Sequence, residues 1–144
     1  MTILSVINWF NDADYDDPRA EIWFDTIDGE FIGAPNGENI TDQTHTVYSG
    51  ILTENVLYGE APQAILTYDE MKFIEAEANF RLGRYEEANL AYQEAVEAAC
   101  SRAGLTTVEI IAYTTQGNVF TENNNLNLDI IIRQKFLSFF FYQF

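Results

Sequence analysis

Residues 67–104 constrain the fold of this chain more than any other stretch: they predict two antiparallel helices joined by a tight turn. The first helix opens on Thr67, Tyr68, Asp69 and Glu70. A threonine followed three residues later by a glutamate is a capping box. The hydroxyl accepts an orphan backbone N–H, and the carboxylate reaches back to the cap. Met71, Ile74 and Ala78 then recur at helical spacing, with Phe73, Ala76, Phe80 and Leu82 widening the apolar stripe. Gly83 follows at once, where a helix end calls for a residue able to take positive φ. The second helix is predicted to start near Arg84 and Tyr85 and to stop at Gly104. Ala88, Ala91, Tyr92, Ala95, Val96 and Ala99 give it a narrow face of small residues broken by one large ring. Helices of this length joined by so short a turn must lie side by side and antiparallel. The small residues let the partner backbone come close, and Tyr85 and Tyr92 are expected to fill the gaps.

Around this hairpin the chain is strongly acidic. Its 144 residues carry 23 Asp and Glu against 7 Lys and Arg, a formal net charge of −16. Ahead of Lys72 the only Lys or Arg is Arg19. Such a field repels phosphate, which argues against nucleic acid as a partner. An anionic membrane surface is disfavoured for the same reason. Neutral ligands, cations and basic proteins remain. At 47% apolar and 15% aromatic, the chain can build a core and is not a disordered polyanion. Cys100 is the only cysteine, so no intrachain disulfide can form, and a small buried thiol among alanines is expected.

The region before the hairpin is irregular. Ile3, Val6, Ile7 and Phe10 share one helical face, so residues 3–10 are expected as one or two turns of helix. Residues 1–10 lack the basic start and small-residue cleavage site of a signal peptide. Residues 11–18 form an acidic turn whose alternating carboxylates suggest a calcium loop. That loop requires glycine at its sixth position and glutamate at its twelfth. Counted from Asp12, those positions hold Asp17 and Trp23. A solvated acidic loop is the reading, with loose cation binding as the alternative. Asp17 before Pro18 disfavours helix ahead of the proline, and Arg19 is expected to answer some of the local negative charge. Residues 21–32 alternate loosely, with Ile22, Phe24, Ile27 and Phe31 apolar around an Asp28-Gly29 hairpin turn. Asn39, Ile40 and Thr41 fit a glycosylation sequon. His45 is the only histidine, so a histidine-based metal cluster cannot be built, and no convincing nucleophile sits beside it for a triad. Residues 47–57 are a short strand or turn, and residues 58–62 are loop. Residues 1–66 are therefore read as a loop-rich region with at most short β-strands. Its length points to a functional or surface-covering role.

Beyond the hairpin, residues 105–144 are expected as a short helix, a loop and a C-terminal apolar helix. Thr106 or Thr107 caps the short helix over 108–113, with Glu109 in its first turn. Residues 126–144 resume helical patterning, with Leu128, Ile131, Ile132, Lys135, Phe136 and Phe139 on one side and Asp129 suited to the helix dipole. Arg133, Gln134 and Lys135 interrupt the apolar run, and only nine residues follow them. Spanning a bilayer takes about twenty apolar residues, so a core helix is expected and no transmembrane helix. The apolar start and apolar end together predict a piece of a longer chain.

Two resemblances follow from these motifs. Gly83, Tyr85, Ala88, Tyr92 and Ala95 match the spacing of the second helix of a tetratricopeptide repeat. In the first helix Lys72 and Glu75 depart from that repeat, while Ala76 suits its small position. The chain more closely resembles the SusD/RagB family of outer-membrane nutrient-binding lipoproteins. The phrase at 66–78, with Tyr68, Glu70, Ala76, Glu77 and Ala78, is similar to the opening of that family's tetratricopeptide-like hairpin. Residues 127–137, with Gln134, Lys135 and Phe136, look like its later helix. Asp17, Pro18 and Arg19, followed by Phe24, Gly33, Pro35, Asn36 and Gly37, resemble the segment ahead of the hairpin. The resemblance implies a mainly α fold, an α-α superhelix, over a single piece spanning 1–144. It implies a non-catalytic protein, lipid-anchored in its full-length form on the cell-surface side of the outer membrane. There it would hold a glycan or other nutrient in complex with a TonB-dependent transporter. It implies no cofactor, and it carries no ligand-contacting residue over to a position here.

The residues themselves leave two function classes beside that one. An enzyme would have to use paired carboxylates, and Glu70, Glu75 and Glu77 are read first as a solvated helix face and cap. A stand-alone tetratricopeptide-like module would bind a partner protein. For sugar binding, flat aromatic faces stack on sugar rings and carboxylates accept hydroxyl hydrogen bonds. Trp9, Trp23 and Tyr48 are the candidates, with core or loop packing as their plainer role.

Overall fold

A computed structural model describes residues 3–11, 16–35, 47–52, 64–117, 119–120 and 125–140. The chain is mainly helical: among the described residues there are six helices, and pairing of extended backbone is limited to two isolated β-bridges. It divides into two compact units, Met1–Ala61 and Pro62–Phe144.

In the first unit, α1 (Ile3–Phe10) turns Val6, Ile7 and Phe10 inward, as its spacing predicts. A second helix, α2 (Arg19–Trp23), stands where loose alternation suggested extended chain. Its physical origin is local. Pro18, at φ −67°, is already close to helical backbone. Ala20 and Trp23, three apart, share the buried side of the turn. The Phe10 ring meets Trp23 edge-on at 5.7 Å and Phe24 at 5.9 Å, so the apolar centre of this unit is aromatic. At Phe24 the backbone becomes extended and pairs with 49–52. Phe24 and Ile51 form an antiparallel bridge, and the Leu52 N–H donates to the Trp23 carbonyl at 2.9 Å. The Asp28-Gly29 turn forms as expected. Both residues take positive φ, 53° and 86°, and Ile27 and Glu30 exchange backbone bonds of 2.9 and 3.0 Å. Two positive φ values in a two-residue loop match the right-handed twist of the flanking chain.

The second unit is built on the expected hairpin, α3 (Tyr68–Arg81) and α4 (Tyr85–Arg102). Thr67 caps α3, its hydroxyl accepting from the Glu70 N–H at 3.3 Å. Gly83 (φ 74°) and Gly104 (φ 99°) take the left-handed conformation that turns the chain after each helix. Ala88, Ala91, Tyr92, Ala95, Val96, Ala99 and Cys100 are all buried on α4. Tyr92 is the large ring in that small-residue face. It meets Phe73 of α3 edge-on at 6.4 Å and donates to the Val119 carbonyl at 2.9 Å. Tyr85, by contrast, is half exposed and meets Phe80 edge-on at 5.2 Å.

The inward face of α3 differs from the predicted one. Phe73 and Ala76 are buried, but Met71, Ile74, Ala78 and Leu82 face outward. Apolar residues ring this helix, so spacing alone could not choose between its faces. The deciding residue is Asp69, which is 2% exposed because it has a cation to meet. Asp69, Phe73, Ala76 and Phe80 lie one above another at intervals of three and four, and that line faces inward.

Two further helices complete this unit. The short helix α5 (Thr107–Thr114) begins with a full capping box, in which the Thr106 N–H donates to Glu109 at 2.7 Å and Thr106 Oγ1 accepts from the Glu109 N–H. The C-terminal helix α6 (Leu128–Phe139) is capped by Asn127, whose side chain accepts from the Ile130 N–H at 3.0 Å. It packs on α3 and α4 with Ile131, Gln134, Leu137 and Ser138 buried. The predicted stripe included Ile131 but not Gln134 or Ser138, and Ile132 is 42% exposed. Polar residues take the inward positions because each has a partner there. Gln134 donates to the Tyr113 hydroxyl at 2.7 Å, and Ser138 donates to Asp69.

Candidate functional site

In the first unit, α1 and α2 set the positions of the two tryptophans. Trp23 is 2% exposed and packs against Phe10. The Arg19 guanidinium lies 5.7 Å from its ring centre. That guanidinium is itself fixed: Arg19 Nε donates to Asp17 Oδ1 at 2.9 Å and Nη2 to Oδ2 at 2.5 Å, and both side chains are buried. Trp23 is thus a core residue, with no face open to a ligand. Trp9 and Tyr48 are half-buried. Beside Tyr48, the Ser49 N–H donates to the Ile32 carbonyl at 2.8 Å and Ser49 Oγ accepts from the Ile32 N–H at 2.9 Å, which fixes the backbone that carries the ring. These two rings are the sugar-stacking candidates that burial leaves in place.

Asp17 is committed to Arg19, and Asp16 is exposed. Asp12 and Asp14 lie outside the described residues, as do the sequon at 39–41 and His45. Among the described residues no three His, Cys, Asp or Glu side chains come together as a metal site. Cys100 is a buried thiol in α4.

Three carboxylates of α3, Asp69, Glu75 and Glu77, are tied to cations. Glu77 accepts from Arg81 at 2.8 Å and from Lys135 of α6 at 3.0 Å. Arg81 first and then Lys135 hold its carboxyl below the usual range. Glu75 and Glu94 both hold Lys72 at 2.8 Å, and Tyr68 donates to Glu94 at 3.1 Å. Those hydrogen bonds raise the Lys72 ammonium above its ordinary value, and Lys72 first and then Tyr68 lower Glu94. A general acid working near neutral pH needs a raised carboxyl pKa. Glu77 and Glu94 are shifted the other way, as ion-paired structural groups are.

Asp69 and Arg102 form a largely buried polar cluster with Ser138. Arg102 Nε donates to Asp69 Oδ1 at 3.1 Å and Arg102 Nη2 to Asp69 Oδ2 at 2.5 Å. Arg102 Nη2 also donates to the Ser138 carbonyl at 3.0 Å. Burial pushes the Asp69 carboxyl up, but the bonds from Arg102, Ser138 and Thr67 outweigh it and hold the group below the usual carboxylate range. This cluster links α3, α4 and α6. Its signal in the sequence was the single acid, Asp69, at an inward position of the first helix.

A family model described as SusD-like, starch-binding associating with outer membrane, matches residues 5–144. The chain belongs to that family. No curated protein and no solved structure gives a match. The match covers both units of this SusD-like chain, so the half-buried rings at Trp9 and Tyr48 and the helical hairpin lie within the family's span. The family's description ties such chains to starch binding and to the outer membrane. Among the described residues no helix is long and apolar enough to cross a membrane.

Proposed function

We propose that this chain serves a non-catalytic nutrient-binding lipoprotein on the cell-surface side of the outer membrane, which holds a neutral glycan for a TonB-dependent transporter. The observation that carries the proposal is the family match over residues 5–144, with its description of starch binding at the outer membrane. The charge balance agrees with it. A protein at −16 repels anionic ligands over the Debye length but is indifferent to an uncharged sugar. Glu77, held below the usual range by Arg81 and Lys135, and Glu75, paired with Lys72, are suited to structure rather than to acid catalysis.

The test has two arms. Calorimetric titration of the full-length protein with maltooligosaccharides should give saturable binding without hydrolysis products; no binding, or cleavage of the sugar, would overturn the glycan-holding role. Detergent extraction of outer membranes followed by affinity purification should bring down a TonB-dependent transporter together with lipid-modified protein. Recovery of the lipoprotein alone would remove the transporter from the proposal.

A tetratricopeptide-like interaction module is the second reading. The outward stripe on α3, with Met71 46%, Ile74 50% and Leu82 67% exposed, favours it. Polar substitution of those three residues separates the readings. Under the first, sugar binding persists; under the second, association with a protein partner is the property that is lost.

A further inference from the structure

We draw no further inference here: the strongest candidate, the apolar face of α5 formed by Val108, Ile111 and Ala112, is an unpartnered helix face, and nothing in the structure shows what covers it.

Discussion

Arg102, near the end of α4, grips Asp69 in the first turn of α3 with two donors, at 3.1 and 2.5 Å, and with the same guanidinium holds the Ser138 carbonyl of α6. One planar cation therefore ties together three helices through residues that lie 33 and 36 positions from it. Removing either partner leaves the other charge buried without its counterion, which costs about 3–5 kcal/mol. Asp69→Asn and Arg102→Met should each lower the unfolding free energy by that order, read from urea melts. Arg102→Lys should not restore it, because an ammonium cannot supply the two-pronged contact. The double variant should lose less than the sum of the singles. Additive losses would mean that the pair is not coupled.

Asp69 in this cluster and Glu77, paired with Arg81 and Lys135, give an acid dependence with a definite sign. Folding lowers the Asp69 and Glu77 carboxyl pKa values. At acid pH the unfolded chain therefore binds more protons than the folded one at these sites, so stability is lost as pH falls. The contribution is fully present above the unfolded carboxylate values near 4 and disappears as pH falls from there through the lower folded values. Urea midpoints recorded between pH 7 and pH 3 should drop most steeply below about pH 4. Asp69→Asn should start from a lower midpoint and show a shallower acid limb. An unchanged slope in that variant would assign the acid loss elsewhere.

The contrast between Phe73 and Met71 shows how far the sequence could be read. Caps, glycines and the small-residue face of α4 were legible because each answers a local demand: an orphan N–H at Thr67 and Thr106, positive φ at Gly83 and Gly104, close approach at Ala88 and Ala95. The Asp28-Gly29 turn was legible for the same reason. The face that α3 buries was not, because apolar residues surround the helix and the choice rests on Arg102, 33 residues away. Gln134 and Ser138 misled in the same way, as polar residues whose partners come from other helices. At the candidate site, aromatic residues could be named but their burial could not. Trp23 turned out to be core because α2 directs it against Phe10, while Trp9 and Tyr48 stayed half-buried.

That reassignment of the α3 faces is itself testable. Phe73 is fully buried between Tyr92 and Phe139, at ring distances of 6.4 and 6.5 Å. Phe73→Ala should cost about 3–5 kcal/mol. Met71→Gln and Ile74→Gln, on the outward face, should stay within roughly 0.5 kcal/mol of the parent. Equal losses at the two faces in denaturant melts would restore the stripe expected from spacing.

Gly83 tests backbone conformation apart from packing. A Cβ placed there meets no atom within 4 Å, so space is not the constraint; the φ of +74° is. A substituent pays the left-handed penalty of about 1–2 kcal/mol. Gly83→Asn should lose less than Gly83→Ala, because asparagine tolerates that region through local hydrogen bonds, and Gly83→Val should lose the most. Circular-dichroism melts of the three variants give the order. If alanine and asparagine proved equal, strain at this turn would not be what limits the hairpin.

For the glycan-holding role, burial separates the three aromatic candidates. Trp9 and Tyr48 are half-buried, whereas Trp23 is buried, packing against Phe10 with the Arg19–Asp17 pair beside it. Trp9→Ala and Tyr48→Ala should weaken maltooligosaccharide binding by the loss of a stacking face, and, because both side chains are half-buried, should lower thermal stability by less than Trp23→Ala does. Trp23→Ala should act on stability first, lowering it by about 3–5 kcal/mol through the cavity it leaves. Its substitution by phenylalanine fills most of that cavity and should preserve binding if Trp23 serves only the core. Parallel calorimetric titrations and thermal melts distinguish these outcomes. Full binding in both Trp9→Ala and Tyr48→Ala would move the sugar contact away from these rings. Binding lost in Trp23→Phe at unchanged stability would make the buried tryptophan a ligand contact after all.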